Sequence, residues 1–247
     1  MSSLISEDFP QPLVRMVFKE RPNRFILTCL NEETNSLETV HLADPGRLKE
    51  LLVKDTAVYV LPSTNPNRKT KWTAVLVEHK GIYVSINTTF PNKLIETVLK
   101  NGALKELNTY QWVKSEFVYG SSRWDFMLQD EEGKGLLLEV KSVTLANGKM
   151  GMFPDAVTAR GAKHVQELAA IAKEGNWETA ILFVVQREDV EVVTSAAHID
   201  PHFAECLELA EQAGVRLLAY TCQLSLEGIH LYRPIPVQLN KKMLTVN

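Results

Sequence analysis

From residue 12 to residue 89, apolar residues fall in short runs separated by turn residues. "LVRMVFKE", "RFILTCLN", "SLETVHLA", "AVYVLPS", "WTAVLVEHK" and "GIYVSIN" each read as a strand. Roughly six short strands in about 80 residues predict a small closed barrel. The period then changes. "FPNKLIETVLKNG" has one apolar stripe at helical spacing, a Pro in its first turn and Asn101-Gly102 as a stop. "YQWVKSEFVYG", "SRWDFMLQD" and "GLLLEVKSVTL" read as strands. "PDAVTARGAKHVQELAAIAKEG" reads as a long helix, "TAILFVVQ" as a buried strand, "PHFAECLELAEQAG" as a helix and "VRLLAYTCQL" as a strand. This α-β-β-β-α-β-α-β order predicts a mixed α/β sheet flanked by helices. The expected division is a barrel over residues 1–89 and an α/β domain over residues 90–247, with the tail "YRPIPVQLNKKMLTVN" left unassigned.

Composition narrows the class. The chain has 247 residues, 45% of them hydrophobic and 23% charged, which is ordinary for a soluble domain pair. It has no apolar run of membrane-spanning length, and its N-terminus lacks the basic-then-apolar order of a secretory signal. The three cysteines, Cys29, Cys206 and Cys222, are odd in number and widely spaced. A disulfide frame or zinc site is therefore not expected, and a reducing cytoplasm is. Net charge is −3, with 11 Lys+Arg against 10 Asp+Glu in residues 1–89 and 16 against 20 in the rest. Any nucleic-acid contact must therefore use local patches. Oligonucleotide-binding (OB) barrels are one class of small barrel that does so.

Candidate chemistry lies in "SSRWDFMLQDEEGKGLLLEVKSV". A hairpin centred on Glu132 sets Asp125 opposite Glu139, where facing Cβ atoms are about 4.5–5.5 Å apart. The strand period of two places Trp124, Phe126, Leu128, Leu136, Leu138 and Val140 on an apolar face. It places Asp125, Glu139 and Lys141 on the other. Two facing carboxylates repel unless a proton, a Lys or a cation lies between them. Mg²⁺ or Mn²⁺ held by Asp125 and Glu139, assisted by Lys141, would suit phosphodiester hydrolysis. A solvated sheet face with a Lys–carboxylate pair has the same spacing. The order of elements around this pattern resembles that of the PD-(D/E)xK nuclease superfamily. In that superfamily a helical acid often completes the site, and Glu96 is the candidate here. Asn92, Glu96 and Lys100 share one polar face, which also suits an ordinary solvent stripe.

In the next helix Arg160, Lys163 and His164 form a basic face near an N-terminus, a setting suited to phosphate, with Asp155 or Thr158 as the cap. Gly161 is costly inside a helix, and close approach to the site would explain it. Arg68, Lys69 and Lys71 beside Trp72 form either a barrel patch for nucleic acid or a solvated loop. His198 and His202 have Pro201 between them, which argues against a helical metal pair.

Four segments together, "HLADPGRLKELL", "SSRWDFML", "LLLEVKSVTL" and "FPDAVTARGAKHVQEL", resemble the sugar fermentation stimulation protein (SfsA) family over about residues 12–230. The resemblance implies an OB-like domain joined to a PD-(D/E)xK nuclease-like domain, and DNA as the partner. The implied role is either metal-dependent cleavage or regulation of sugar (maltose) genes without it. A homodimer fits the superfamily. Asp125, Glu139 and Lys141 match the nuclease-like positions, with Glu96 as the helical acid. Arg123, Arg160, Lys163 and His164 match polar positions of the family motifs. Where many members have Asn-Thr-Gly, this chain has Asp44-Pro45-Gly46-Arg47. That turn is either a plain β-turn or, through Arg47, part of the DNA-binding site.

Overall fold

A computed structural model of the protein describes residues 6–65 and 67–239. Residues 240–247 of the tail lie outside them. The elements in chain order are β1 (Ser6–Asp8), β2 (Val14–Asn23), β3 (Ile26–Asn31), β4 (Ser36–His41), β5 (Ala57–Pro62), β6 (Trp72–His79) and β7 (Ile82–Ser85). After α1 (Phe90–Lys100) come β8 (Tyr110–Tyr119), β9 (Ser122–Asp130), β10 (Gly135–Val143), β11 (Ala146–Asn147) and β12 (Met150–Phe153). The chain continues through α2 (Ala159–Glu174), β13 (Glu178–Val185), β14 (Val192–Ser195), α3 (Pro201–Gln212), β15 (Arg216–Leu224) and β16 (Gly228–Pro234).

The six expected N-terminal strands form one sheet in the order β4-β3-β2-β5-β6-β7. A parallel pairing of Val40 with Trp72 and of His41 with Thr73 joins β4 to β6. Five strands thus close into a barrel, which removes the free edges. Met16, Leu27, Val58 and Val77 fill its interior, all fully buried.

The second sheet runs β1-β16-β15-β13-β10-β9-β8. Its central strands β10, β13 and β15 are parallel. That explains the near-continuous apolar runs of β10 and β13, since parallel strands are covered on both faces. On one side Leu136 and Leu138 join Leu94, Ile95 and Val98 of α1. On the other Leu137 joins Val165 and Leu168 of α2. Both faces of the hairpin are therefore core, whereas the strand alternation led us to expect one apolar and one polar face. The alternation also slips. Trp124 belongs with α2, but Phe126 and Leu128 belong with α1. The slip falls at Asp125, and Glu116, at the same level of β8, has a left-handed backbone with φ 54°.

The first core extends into the outer wall of the barrel through Tyr59, Val75 and Leu76. Helix α1 is thus packed between barrel and sheet, and the two units share apolar contact. β1 does not enter the barrel but pairs antiparallel with β16 at the sheet edge. Phe9 just after it stacks edge-on against Phe90, with centroids 5.3 Å apart. β11, β12 and β14 make a small third sheet absent from the sequence pattern.

The caps are specific. Thr158, rather than Asp155, caps α2, its hydroxyl accepting the Gly161 N–H at 3.1 Å. A Cβ on Gly161 would lie 2.8 Å from that same side chain, so the cap explains this glycine rather than any approach to the site. Asp200 caps α3 by accepting the Phe203 N–H, and its other oxygen accepts the Thr158 N–H, tying together the starts of α2 and α3.

Candidate functional site

The β9–β10 ladder has the expected register, with Leu136 opposite Leu128, Leu137 opposite Met127 and Leu138 opposite Phe126. It stops there, one step short of Asp125 and Glu139. Beyond it β10 has a strand partner on one side only, and the Asp125 side chain takes over on the other. Its Oδ2 accepts the Val140 N–H at 2.7 Å, satisfying an edge amide that would otherwise be orphaned. Its Oδ1 accepts from Asn92 Nδ2 in the first turn of α1, also at 2.7 Å.

Glu139 is 5% exposed and is reached from the opposite side of the sheet. Its Oε1 accepts from Lys141 Nζ at 2.6 Å and lies 2.8 Å from His164 Nδ1 of α2. The His164 ring is itself buried and set edge-on against Trp124 at 5.5 Å. Asp125 is thus braced by α1 and Glu139 by α2, near enough for the charge of Glu139 to act on Asp125.

Their electrostatics diverge. Burial, reinforced by the charge of Glu139, pushes the Asp125 carboxyl up to about 6. Burial pushes Glu139 up as well, but the His164 bond and the Lys141 ammonium outweigh it and hold Glu139 below the ordinary range. One acid is kept ionised, and the other titrates near neutrality, as coupled functional pairs do.

Above this pair a cleft of about 820 Å³ opens between the barrel and the C-terminal domain. Asn92 and Lys141, which bond Asp125 and Glu139, line it, while the two carboxylates themselves do not. Arg21, Arg24, Arg47 and Lys49 line it from the barrel. Together with Lys141 they outnumber the lining acids Asp44 and Asp155, so a chain of net charge −3 has a locally basic cleft. The starts of α1 and α2 also reach it, through Pro91 and Thr158, and helix N-termini favour anions.

The barrel loop 44–47 is fastened across the domain junction. The Arg47 N–H donates to Asp155 Oδ2 at 3.0 Å, and the Gly46 N–H to Asp44 Oδ1 at 2.7 Å. Arg21 donates to the carbonyls of Arg47 and Asp44, at 2.7 and 3.2 Å. A Cβ on Gly46 would sit 1.9 Å from Asp155 Oδ2. Close approach of a carboxylate, rather than a positive φ, therefore requires this glycine. Burial pushes Asp44 up to about 6 against the Gly46 bond, with the Asp155 charge adding to the rise, and burial also raises Asp155.

Three of the sequence-derived candidates converge here: Asp125, Glu139 and Lys141. Arg47 lines the cleft above them. His164 does not face solvent with Arg160 and Lys163 as its spacing suggested; it is buried against Glu139. Glu96 does not reach Asp125. It pairs with Lys100 at 2.7 Å, and Asn92, one turn earlier, makes the contact instead. Arg123 is exposed and pairs with Glu116 at 2.6 Å, while Lys163 lies 3.4 Å from Glu167. Arg68, bonded to Thr73 at 2.8 Å, does not line the cleft, and neither do Lys69, Lys71 and Arg160. Sequence reasoning missed Arg21, Arg24 and Lys49, which reach the cleft only when the barrel docks.

Two family models match the chain. The model described as "Sugar fermentation stimulation protein RE domain" matches residues 89–228, and "SfsA N-terminal OB domain" matches residues 20–86. The chain belongs to the SfsA family. Its SfsA relatives include the sugar fermentation stimulation protein homolog of Shouchella clausii, 45% identical over 92% of this chain and 97% of that one. The homolog of Moorella thermoacetica is 37% identical over 94% and 99%. The solved structure of Pyrococcus furiosus SfsA in complex with Ca²⁺ is 28% identical, covers 96% of this chain and 100% of that one, and superposes with a TM-score of 0.86.

Proposed function

We propose that this SfsA-family protein binds DNA in its interdomain cleft and hydrolyses phosphodiester bonds there, as a nuclease dependent on Mg²⁺ or Mn²⁺. In this reading residues 1–89 grip the strand, residues 90–247 carry the PD-(D/E)xK chemistry, and the protein works in the cytoplasm. One observation carries it: Asp125 covers the unpaired edge of β10 beside the Glu139–Lys141 pair, and Lys141 lines a basic cleft.

The donor set fits a hard divalent ion. Asp125 is raised by burial and by its neighbour's charge, a penalty that a cation between the two would relieve. Mg²⁺ commonly takes one or two carboxylates and completes its shell with water and substrate oxygens, which an Asp125–Glu139 pair would allow. The Ca²⁺ held by the Pyrococcus relative is another ion that prefers oxygen. When bound by Asp125 and Glu139, the ion supplies Lewis acidity and a more acidic water.

The chain's own groups do the rest. Asn92 and the Val140 N–H fix both oxygens of Asp125. His164 fixes Glu139 from behind. Lys141 presents an ammonium to the cleft, where negative charge grows on the phosphoryl oxygens in the transition state. Arg21, Arg24 and Lys49 hold the flanking phosphates.

The test incubates purified protein with labelled single-stranded, duplex and branched DNA in Mg²⁺ or Mn²⁺. Wild type cuts at least one form, and an Asp125→Ala/Glu139→Ala variant binds without cutting. Binding with no cleavage by wild type would leave a DNA-binding regulator of sugar (maltose) genes. Neither binding nor cleavage would end both readings.

A further inference from the structure

We infer that the cleft takes a single strand of DNA, as a free end or an unpaired flap, and that the barrel loop 44–47 is the element that keeps an intact duplex out. This rests on the nuclease reading and adds the form of the substrate.

Three observations point the same way. The reactive groups do not lie on an open face. Their partners Asn92 and Lys141 line a cleft walled by both domains. The domains share one apolar core through α1. Its volume of about 820 Å³ is that of a small-molecule site, roughly 300–1,000 Å³. A few nucleotides fit in that space.

The second observation is the fastening of the loop. Arg47 N–H to Asp155 and Gly46 packed onto the same carboxylate hold the barrel against the lead-in to α2. Arg21 braces the loop from beneath through two carbonyls. Arg21, Gly46, Arg47 and Asp155 all line the cleft, and in this proposal they stand where a second strand would enter.

The third is the chemistry at the mouth. Single-strand sites pair a basic groove for the backbone with aromatic faces for the bases. Arg24 lines the cleft at the tip of the β2–β3 hairpin, and Phe25, the next residue, is 49% exposed. Both sit on a turn fixed by the Asn23 side chain, which accepts the Phe25 N–H at 2.9 Å. Phe25 does not itself line the cleft, and in this proposal it offers its exposed ring to a base just outside the mouth, next to a phosphate held by Arg24.

The test measures binding of a fluorescent single-stranded oligonucleotide and of its blunt duplex, with Ca²⁺ as the ion, followed by cleavage of blunt, overhanging and single-stranded forms in Mn²⁺. Wild type should prefer the single strand by about tenfold or more and cut overhangs rather than blunt ends. Gly46→Ala must push Asp155 aside, and Asp155→Ala removes the acceptor. Each should bring the single-strand-to-duplex ratio toward one. Phe25→Ala should weaken single-strand binding about tenfold and leave duplex binding little changed. Blunt duplex bound and cut as well as single strand would overturn this inference while leaving the nuclease reading intact. So would a ratio unmoved by both loop variants. No binding or cleavage of any form would remove the nuclease reading, and this inference with it.

Discussion

Replacing Asp125 by Asn should make the protein more stable at pH 8 while abolishing its metal response. In the unfolded chain an Asp carboxyl ionises near 3.9, and in the fold Asp125 ionises at about 6. Between those values the folded state holds the proton more tightly. Wild-type stability therefore falls as pH rises from about 4 to 6, and the full cost applies above that. Two pK units correspond to about 3 kcal/mol, since each is about 1.4. Asn keeps the shape and one acceptor. It presents an amide NH₂ toward one of the two donors, Asn92 Nδ2 or the Val140 N–H, at a cost of about 1–2 kcal/mol. The net expectation is a gain of about 1–2 kcal/mol at pH 8, or about 2–8 °C in Tm for a chain of this size. The gain should vanish or reverse at pH 4.5, where the wild-type carboxyl is protonated. The assay is urea and thermal unfolding of both proteins in EDTA at the two pH values, repeated with Mn²⁺. Mn²⁺ should raise the wild-type Tm and leave the Asp125→Asn Tm unmoved. Equal destabilisation at both pH values would refute the reasoning, because it would mean that the hydrogen bonds of Asp125 outweigh the cost of its ionisation.

Three further outcomes follow from the same geometry. His164→Ala should lower cleavage about 10- to 100-fold, as the loss of a residue behind a ligand commonly does. It should also move the acidic limb of the pH–rate profile upward, because Glu139 loses one of the two partners that hold its carboxyl down; His164→Asn, which keeps a donor near Nδ1, should recover part of both. Lys141→Met should reduce cleavage by at least about 100-fold while changing DNA affinity far less. It should also destabilise the fold by about 3 kcal/mol in urea, since Glu139 loses a buried partner. Thr158→Ala should cost about 0.5–2 kcal/mol through loss of the α2 cap and leave the pH–rate profile in place, which separates helix support from site chemistry.

What could be read from the chain was local. Alternation and turns located the barrel strands, and the Asp130–Lys134 turn set the hairpin register that brings Asp125 level with Glu139. What could not be read depends on contacts between distant segments. Strand β10 looked one-sided because the charges of Glu139 and Lys141 suggested solvent, yet they pair with each other and Glu139 is covered by His164 of α2. His164 was grouped with Arg160 and Lys163 by spacing. It is also four residues before Leu168, on the flank of the buried face, and that spacing was the available clue. Arg21 and Arg24 belong to a hairpin that by itself is merely a turn, and only docking through α1 makes them walls of a cleft. The Asp44-Pro45-Gly46-Arg47 segment shows the limit most clearly. As sequence it fits a β-turn, with Gly present for its backbone freedom. In the fold Gly46 is needed because Asp155, more than a hundred residues away, puts a carboxylate oxygen where a Cβ would be. A requirement of that kind has no periodicity, so it surfaces only when both domains are seen together. Such junction residues, rather than the Asp/Glu/Lys set, are therefore where differences in substrate form between SfsA proteins should be sought.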